Sequence, residues 1–156
     1  MTIPGPSKTE QILAAVETVL AATYGIATDP RTGQPRVYRG RAEAVARAEI
    51  PTLEIDANVE LSNSKVVNCR VLCTLLLRIR IHVDGGASTT QADPIRCSIH
   101  SLLFADKRLG GLTVNLRRAE RRPSAEWEDL RGDNQPGFVD VFYEYEFYTL
   151  EGDLTQ

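Results

Sequence analysis

The amino-acid sequence predicts an α+β domain: an antiparallel sheet of about four strands with two main helices packed on one face. Three observations predict it. Apolar residues recur with helical spacing near the start of the chain and again in its middle, they alternate with polar ones over four other stretches, and the order is helix, two strands, helix, two strands. The 156 residues suit a single domain, 1–156, with one core. Hydrophobic residues at 42% and charged residues at 25% exclude a wholly disordered, collagen-like or coiled-coil chain.

The first element spans residues 7–24, where Ile12, Val16, Val19, Leu20 and Thr23 share a helix face, Ser7 is placed to cap and Gly25 stands just past the end. Residues 25–40, with two prolines and three glycines, read as a loop. An Ala-rich stretch, 41–49, reads as a short helix stopped by Ile50-Pro51, so 25–50 is loop and short helix. The period then changes to two. Leu53, Ile55, Ala57, Val59 and Leu61 alternate with polar neighbours, Ser62-Asn63-Ser64 supplies turn residues, and Val67 to Val83 at every second position resumes the alternation. This hairpin puts Val59 opposite Val67 and Asp56 opposite Arg70, a pair worth ~0.2 to 1 kcal/mol.

Residues 65–83 would extend ~63 Å as one strand, well beyond the usual ~3 to 10 residues. The strand therefore bends, bulges or projects towards a partner. Asp84-Gly85-Gly86 breaks it. Asp93-Pro94 opens a second helix with a capping carboxylate, and Ile95, Ile99, Leu102 and Leu103 form its buried stripe. Leu109-Gly110-Gly111 turns into a third strand, 112–118, with Leu112, Val114 and Leu116 inward. The fourth strand, 138–150, turns Val139, Val141, Tyr143, Tyr145 and Phe147 inward. Between them, residues 119–137 exceed the ~12 to 15 of a structureless connection and read as a projecting arm. The arm should be mobile in the free subunit. It carries the sole tryptophan, Trp127, either tucked back with Leu130 or used as an interface anchor.

Chemistry is sparse in this sequence. No phosphate-binding glycine motif occurs, and Gly110-Gly111 follows a helix rather than a strand. Cys69, Cys73 and Cys97 form no C-x-x-C pair and lie apart from His82 and His100, so they read as reduced, buried small hydrophobes rather than metal ligands. His100 falls one step off its helix stripe and is expected solvated or half-buried. Neither histidine has the setting of a triad or a Cys-His pair, so no enzyme, cofactor or metal is expected. The first residues, MTIPGPSKTE, lack the apolar run of a signal peptide, and no window approaches the ~18 apolar residues of a membrane helix. The expected compartment is cytoplasmic.

Charge is polarised along the chain. Residues 65–122 hold eleven basic and four acidic side chains, whereas 126–156 hold one basic and nine acidic. Such an acidic region argues against a nucleic-acid binder. Either basic and acidic strands pair within the sheet, or Arg78 and Arg80 of one copy meet Glu144 and Glu146 of another. On the nominally wet face, Leu72, Leu76, Phe142 and Tyr148 are apolar where alternation calls for polar residues. They are covered by the segment around Val45, or they form an interaction patch.

Taken in order, these segments resemble the tail terminator and tail completion proteins of long-tailed bacteriophages. The resemblance runs through the opening helix QILAAVETVL, the Pro/Arg-rich loop, EIPTLEI, the long hairpin ending CTLLLRIRIHVDG, the helix QADPIRCSIHSLLFADKRLGGL and the closing VDVFYEYEFYT. It implies a self-assembled ring, usually hexameric, that caps the tail tube and offers a docking surface to the head–tail connector or neck. The implied partners are other copies of the chain, the tail tube protein and the connector, with DNA at most passing through a lumen. The implied location is the virion tail, and the host cytoplasm during assembly. The acidic Trp127 segment departs from the family pattern, which leaves a neighbouring neck or tube protein open. The alternative from another class is a small-molecule-binding or enzymatic α+β domain.

Overall fold

The structure, a computed structural model, describes residues 5–41, 43–67, 69–84, 88–119, 125–128 and 136–150. Its elements are helix α1 (Lys8–Leu20), strands β1 (Val37–Arg39), β2 (Thr52–Val67) and β3 (Arg70–Asp84), helix α2 (Ser88–Ala105), and strands β4 (Asn115–Arg118), β5 (Ala125–Glu128) and β6 (Pro136–Leu150). The class is α+β, as the alternation and order predict. Among the described residues the sheet has six strands instead of four, in the order β1-β2-β3-β6-β4, with β5 also pairing with β6. It is mixed, because β1 runs parallel to β2 while the other pairs are antiparallel. Among the described residues, no helix is long and apolar enough to cross a membrane.

Helix α1 begins where the Ser7 Oγ accepts the Glu10 N–H at 3.2 Å, and it buries Ile12, Val16 and Leu20, one residue per turn. Helix α2 begins at Ser88 with Pro94 inside it, not at an Asp93 cap. Proline removes the donor that the Thr90 carbonyl would take, and Thr90 is exposed, so water can serve it. Asp93 instead bridges to Arg96 at 2.7 Å. Both helices lie on one face of the sheet. Ile12, Val16 and Leu20 of α1 and Ile95, Ile99 and Leu103 of α2 join Leu75, Leu77, Ile79, Ile81, Val139, Val141, Tyr145 and Phe147 in one core. Each fully buried aliphatic side chain contributes ~1.5 to 3 kcal/mol.

The hairpin differs from its expected register. Its reversal falls between Val67 and Arg70, with Cys69 at φ +60°, and Ser62-Asn63-Ser64 lies within β2. A two-residue turn of this kind usually announces itself by Asn-Gly, and no glycine follows Asn68 here. Asp56 therefore stands opposite Arg78, not Arg70. A bulge intervenes as well: Ala57 pairs with Leu77 but Val59 with Leu76, so Asn58 is an extra residue on β2. One inserted residue exchanges the faces of everything beyond it. Val59 and Leu61, predicted inward, are 38% and 56% exposed.

Four further expectations are corrected. Residues 25–50 contain β1, a three-residue strand that exists because β2 offers it an edge, and the Ala-rich stretch supplies only a 3₁₀ turn at Arg47–Glu49. The turn through Gly110 and Gly111, both at positive φ, continues to residue 114, so Val114 is exposed, while Leu116 is in the core and Leu112 packs against it half-buried. Part of the expected arm at 119–137 is in the sheet. Strand β4 pairs with Glu144 and its neighbours, β5 pairs with Phe138–Val141, and the two share one edge of β6 end to end. Trp127 stands opposite Val139 in that register, while 120–124 and 129–135 lie outside the described residues. Of the cysteines only Cys73 is buried; Cys69 and Cys97 are exposed, and all three are free thiols.

A non-glycine residue in the left-handed region costs ~1 to 2 kcal/mol, of which glycine's greater chain entropy returns ~0.5 to 1. Cys69→Gly is therefore expected to raise the unfolding free energy by about 0.5 kcal/mol in urea titrations, and Cys69→Val to lower it.

Candidate functional site

The face of the sheet opposite the helices is the candidate site. It divides into an ionic half and an apolar half that overlap, since Glu144 stands opposite Leu76 and Glu146 opposite Thr74. In the ionic half, three strands exchange charge across their registers. Arg80 of β3 forks onto Asp140 of β6 through Nε and an NH group, both at 2.8 Å, and its guanidinium lies 3.8 Å from the Phe138 ring centroid. Arg78 pairs with Asp56 of β2, and His82 Nε2 lies 3.2 Å from a Glu54 oxygen. Further along, Arg117 of β4 reaches Glu144 at 2.9 Å and Glu146 at 3.3 Å. The four charged interface candidates, Arg78, Arg80, Glu144 and Glu146, thus have ionic partners within their own sheet. Alternation marked all of them as outward, but their partners Asp56, Asp140 and Arg117 follow only from the register.

A cover lies over one end of this half. Residues 43–50 are tied down by Arg47 to Asp84 at 3.1 Å, by Arg36 to the Ala48 carbonyl at 2.8 Å and by the Thr52 hydroxyl to the Glu49 carbonyl. Glu49 accepts the Ala46 N–H and pairs with Arg41, both at 2.8 Å, and these two contacts hold its carboxyl below the usual range. Val45, on this segment, is buried outside the main core. The anchors are at the Thr52–Asp84 end of the sheet, and Leu72 is roughly 40 Å away along β3. The expectation that the Val45 segment covers Leu72 is not met by these anchors.

The apolar half is what remains beyond the cover. Val59 pairs with Leu76, Leu72 with Tyr148, and Leu61 with Thr74. Leu61 and Tyr148 are 56% and 39% exposed, and Leu72 and Leu76 are half-buried. Phe142, grouped with these residues by alternation, is buried within the chain at 3% exposure and does not belong to the surface. Val59 and Leu61 were missed because their parity matches the core; only the bulge at Asn58 turns them out. The β2 edge beside them is also open. Strand β1 pairs only with Leu53–Ile55, so from 56 to 67 β2 has no outer strand among the described residues. The side chain of Trp127 lies outside the described residues.

Nothing on either half composes a reaction centre among the described residues. No three His, Cys, Asp or Glu side chains gather as metal ligands. His82 is paired with Glu54, and His100 lies against Arg118. No protein-family model matches the chain, and no curated protein matches it.

Asp140→Ala removes the acceptor of both Arg80 bonds at a site only 4% exposed, so a loss of about 3 kcal/mol is expected in chemical denaturation. Burial pushes the His82 imidazole below its usual pKa, against the opposing pull of Glu54. The unfolded chain then binds the proton more readily, so this contribution is complete above about pH 6.5 and is lost as pH falls through the folded pKa. Urea titrations at pH 7 and pH 5 should show stability dropping on acidification, with a smaller drop in His82→Gln.

Proposed function

We propose that the chain is a structural virion protein whose copies assemble into a ring, hexameric by the family resemblance, that caps the tail tube and ends its polymerisation. The ring then gives the docking surface for the head–tail connector or neck, and DNA at most passes through its lumen. The protein acts in the virion tail and is assembled in the host cytoplasm, as a scaffold and not as an enzyme.

The observation that carries this reading is the uncovered end of the sheet. Val59, Leu61, Leu72, Leu76 and Tyr148 present apolar surface there, beside a strand edge with no partner strand among the described residues. Monomeric proteins blunt long open edges and keep apolar surface dispersed, and the combination favours coverage by another chain. Identical subunits in a ring provide such a chain through heterologous contacts. The ionic half supports the same reading by a different route. With Arg78, Arg80, Glu144 and Glu146 paired internally, the apolar end supplies the contact and the ion pairs stiffen the sheet that presents it.

Light scattering on the purified protein should give the mass of a closed oligomer, and negative-stain images should show rings. Leu61→Arg, at a 56% exposed position, should keep a far-UV spectrum and melting temperature close to those of the parent while light scattering returns a single subunit. A parent protein that is monomeric at all concentrations, or a Leu61→Arg protein that still forms rings, overturns the reading.

A further inference from the structure

Away from the outer face, a cleft of about 270 Å³ opens between α2 and the sheet edge where β4 gives way to β5. Its walls carry Arg96 and His100 from α2, Arg118 from the end of β4, and Tyr143 from β6. Arg96 and His100 are four residues apart and so share a helix face. Arg118 stands opposite Tyr143 in the β4–β6 register.

The charge in this cleft is unlike that on the rest of the sheet. Arg39, Arg78, Arg80 and Arg117 each reach a carboxylate. Arg118 instead places a guanidinium nitrogen 3.5 Å from His100 Nε2, an uncharged acceptor at a long distance. Arg96 adds a second positive charge and is bridged to Asp93, which is exposed. The His100 ring is held in place by Phe104, at 4.2 Å between ring centroids, and by Tyr143 at 6.2 Å. Two cations thus line a preformed, partly apolar recess, in which the acceptor facing Arg118 is a neutral ring nitrogen.

We propose that this cleft binds a small oxyanion, of the sulfate, phosphate or carboxylate class, which replaces the His100 ring nitrogen as the acceptor of Arg118. The exchange turns a long neutral contact into a charge-assisted hydrogen bond. It also releases His100 Nε2, which takes a proton from solvent and becomes a further donor to the anion. Among the described residues, the titratable and charged groups that line the cleft with His100 are Arg96 and Cys97 on α2, Arg118 on β4 and Tyr143 on β6. Burial, then Arg118 and Arg96, hold the His100 pKa below its usual value in the empty cleft. Burial pushes the Tyr143 hydroxyl up to about 12, so it stays protonated. An anion cancels the field of the two arginines and raises the His100 pKa, so by linkage affinity increases as pH falls from about 7.5 to 5.5. The site stands whether or not the chain assembles into a ring.

The test is an NMR titration of the full chain, following the imidazole Cε1–H signals with sodium sulfate against sodium chloride at matched ionic strength. His100→Gln assigns the two histidines. The expected result is a saturable shift of His100 with sulfate alone, tighter at the lower pH, with the His82 signal unmoved. Arg118→Gln should weaken it by about tenfold or more, and Arg108→Gln, on the exposed turn, should leave it unchanged. A His100 response that is linear, or equal for sulfate and chloride, overturns the proposal on the parent protein alone. So does an Arg118→Gln protein that is folded by its His82 signal and binds sulfate as the parent does.

Discussion

β3 lies between antiparallel partners along its whole length, with β6 paired from Arg70 to Asp84 and β2 from Arg70 to His82. Its backbone groups can be satisfied on both sides without solvent, which lets one face carry Leu75, Leu77, Ile79, Ile81 and Val83 fully buried. Everything else is placed by that strand. The helices pack on its apolar face, α2 directly and α1 through β2, and the polar ladder of Arg78, Arg80 and His82 is its other face. A strand of this length needed a partner of the same length, and β6, fifteen residues long, is that partner.

The two sides of the sheet solve different problems. The helix side is a dry core in which Tyr145 and Phe147 supply the largest volumes. On the outer side, among the described residues, cross-strand ion pairs add to the backbone ladder that holds the strands together. Exposed ion pairs contribute little, but the Arg80–Asp140 fork is nearly enclosed, with the Asp140 side chain 6% exposed. That pairing fixes β3 against β6 where the cover ends. Further along, Leu76, Leu72 and Tyr148 lie beside the Arg117 pairs with Glu144 and Glu146, and the bulge at Asn58 adds Val59 and Leu61 to that end.

Arginine serves two purposes in this molecule. On the outer face it links neighbouring strands through carboxylates, which accounts for the polarity of charge along the chain: basic β3 lies beside acidic β6. In the α2–β4 cleft the side chain of Arg118 faces an imidazole. The contrast between these settings, rather than the count of arginines, separates a structural cation from one available to a ligand.

Composition, periodicity and order were enough to determine the α+β class, the presence of both helices, the inward residues of β3 and β6, and the outward placing of Arg78, Arg80, Glu144, Glu146, Leu72 and Leu76. These follow from local rules, since a residue's face is set by its neighbours at two or four positions. Only the tertiary structure decided the parallel β1, the division of one sheet edge between β4 and β5, and the burial of Phe142. It alone also decided that Val59 and Leu61 face outward. Each of these depends on pairing between segments distant in sequence. A three-residue strand exists only because an edge is offered to it, and a single bulged residue reverses every face beyond it without altering the pattern of apolar residues from which faces are read.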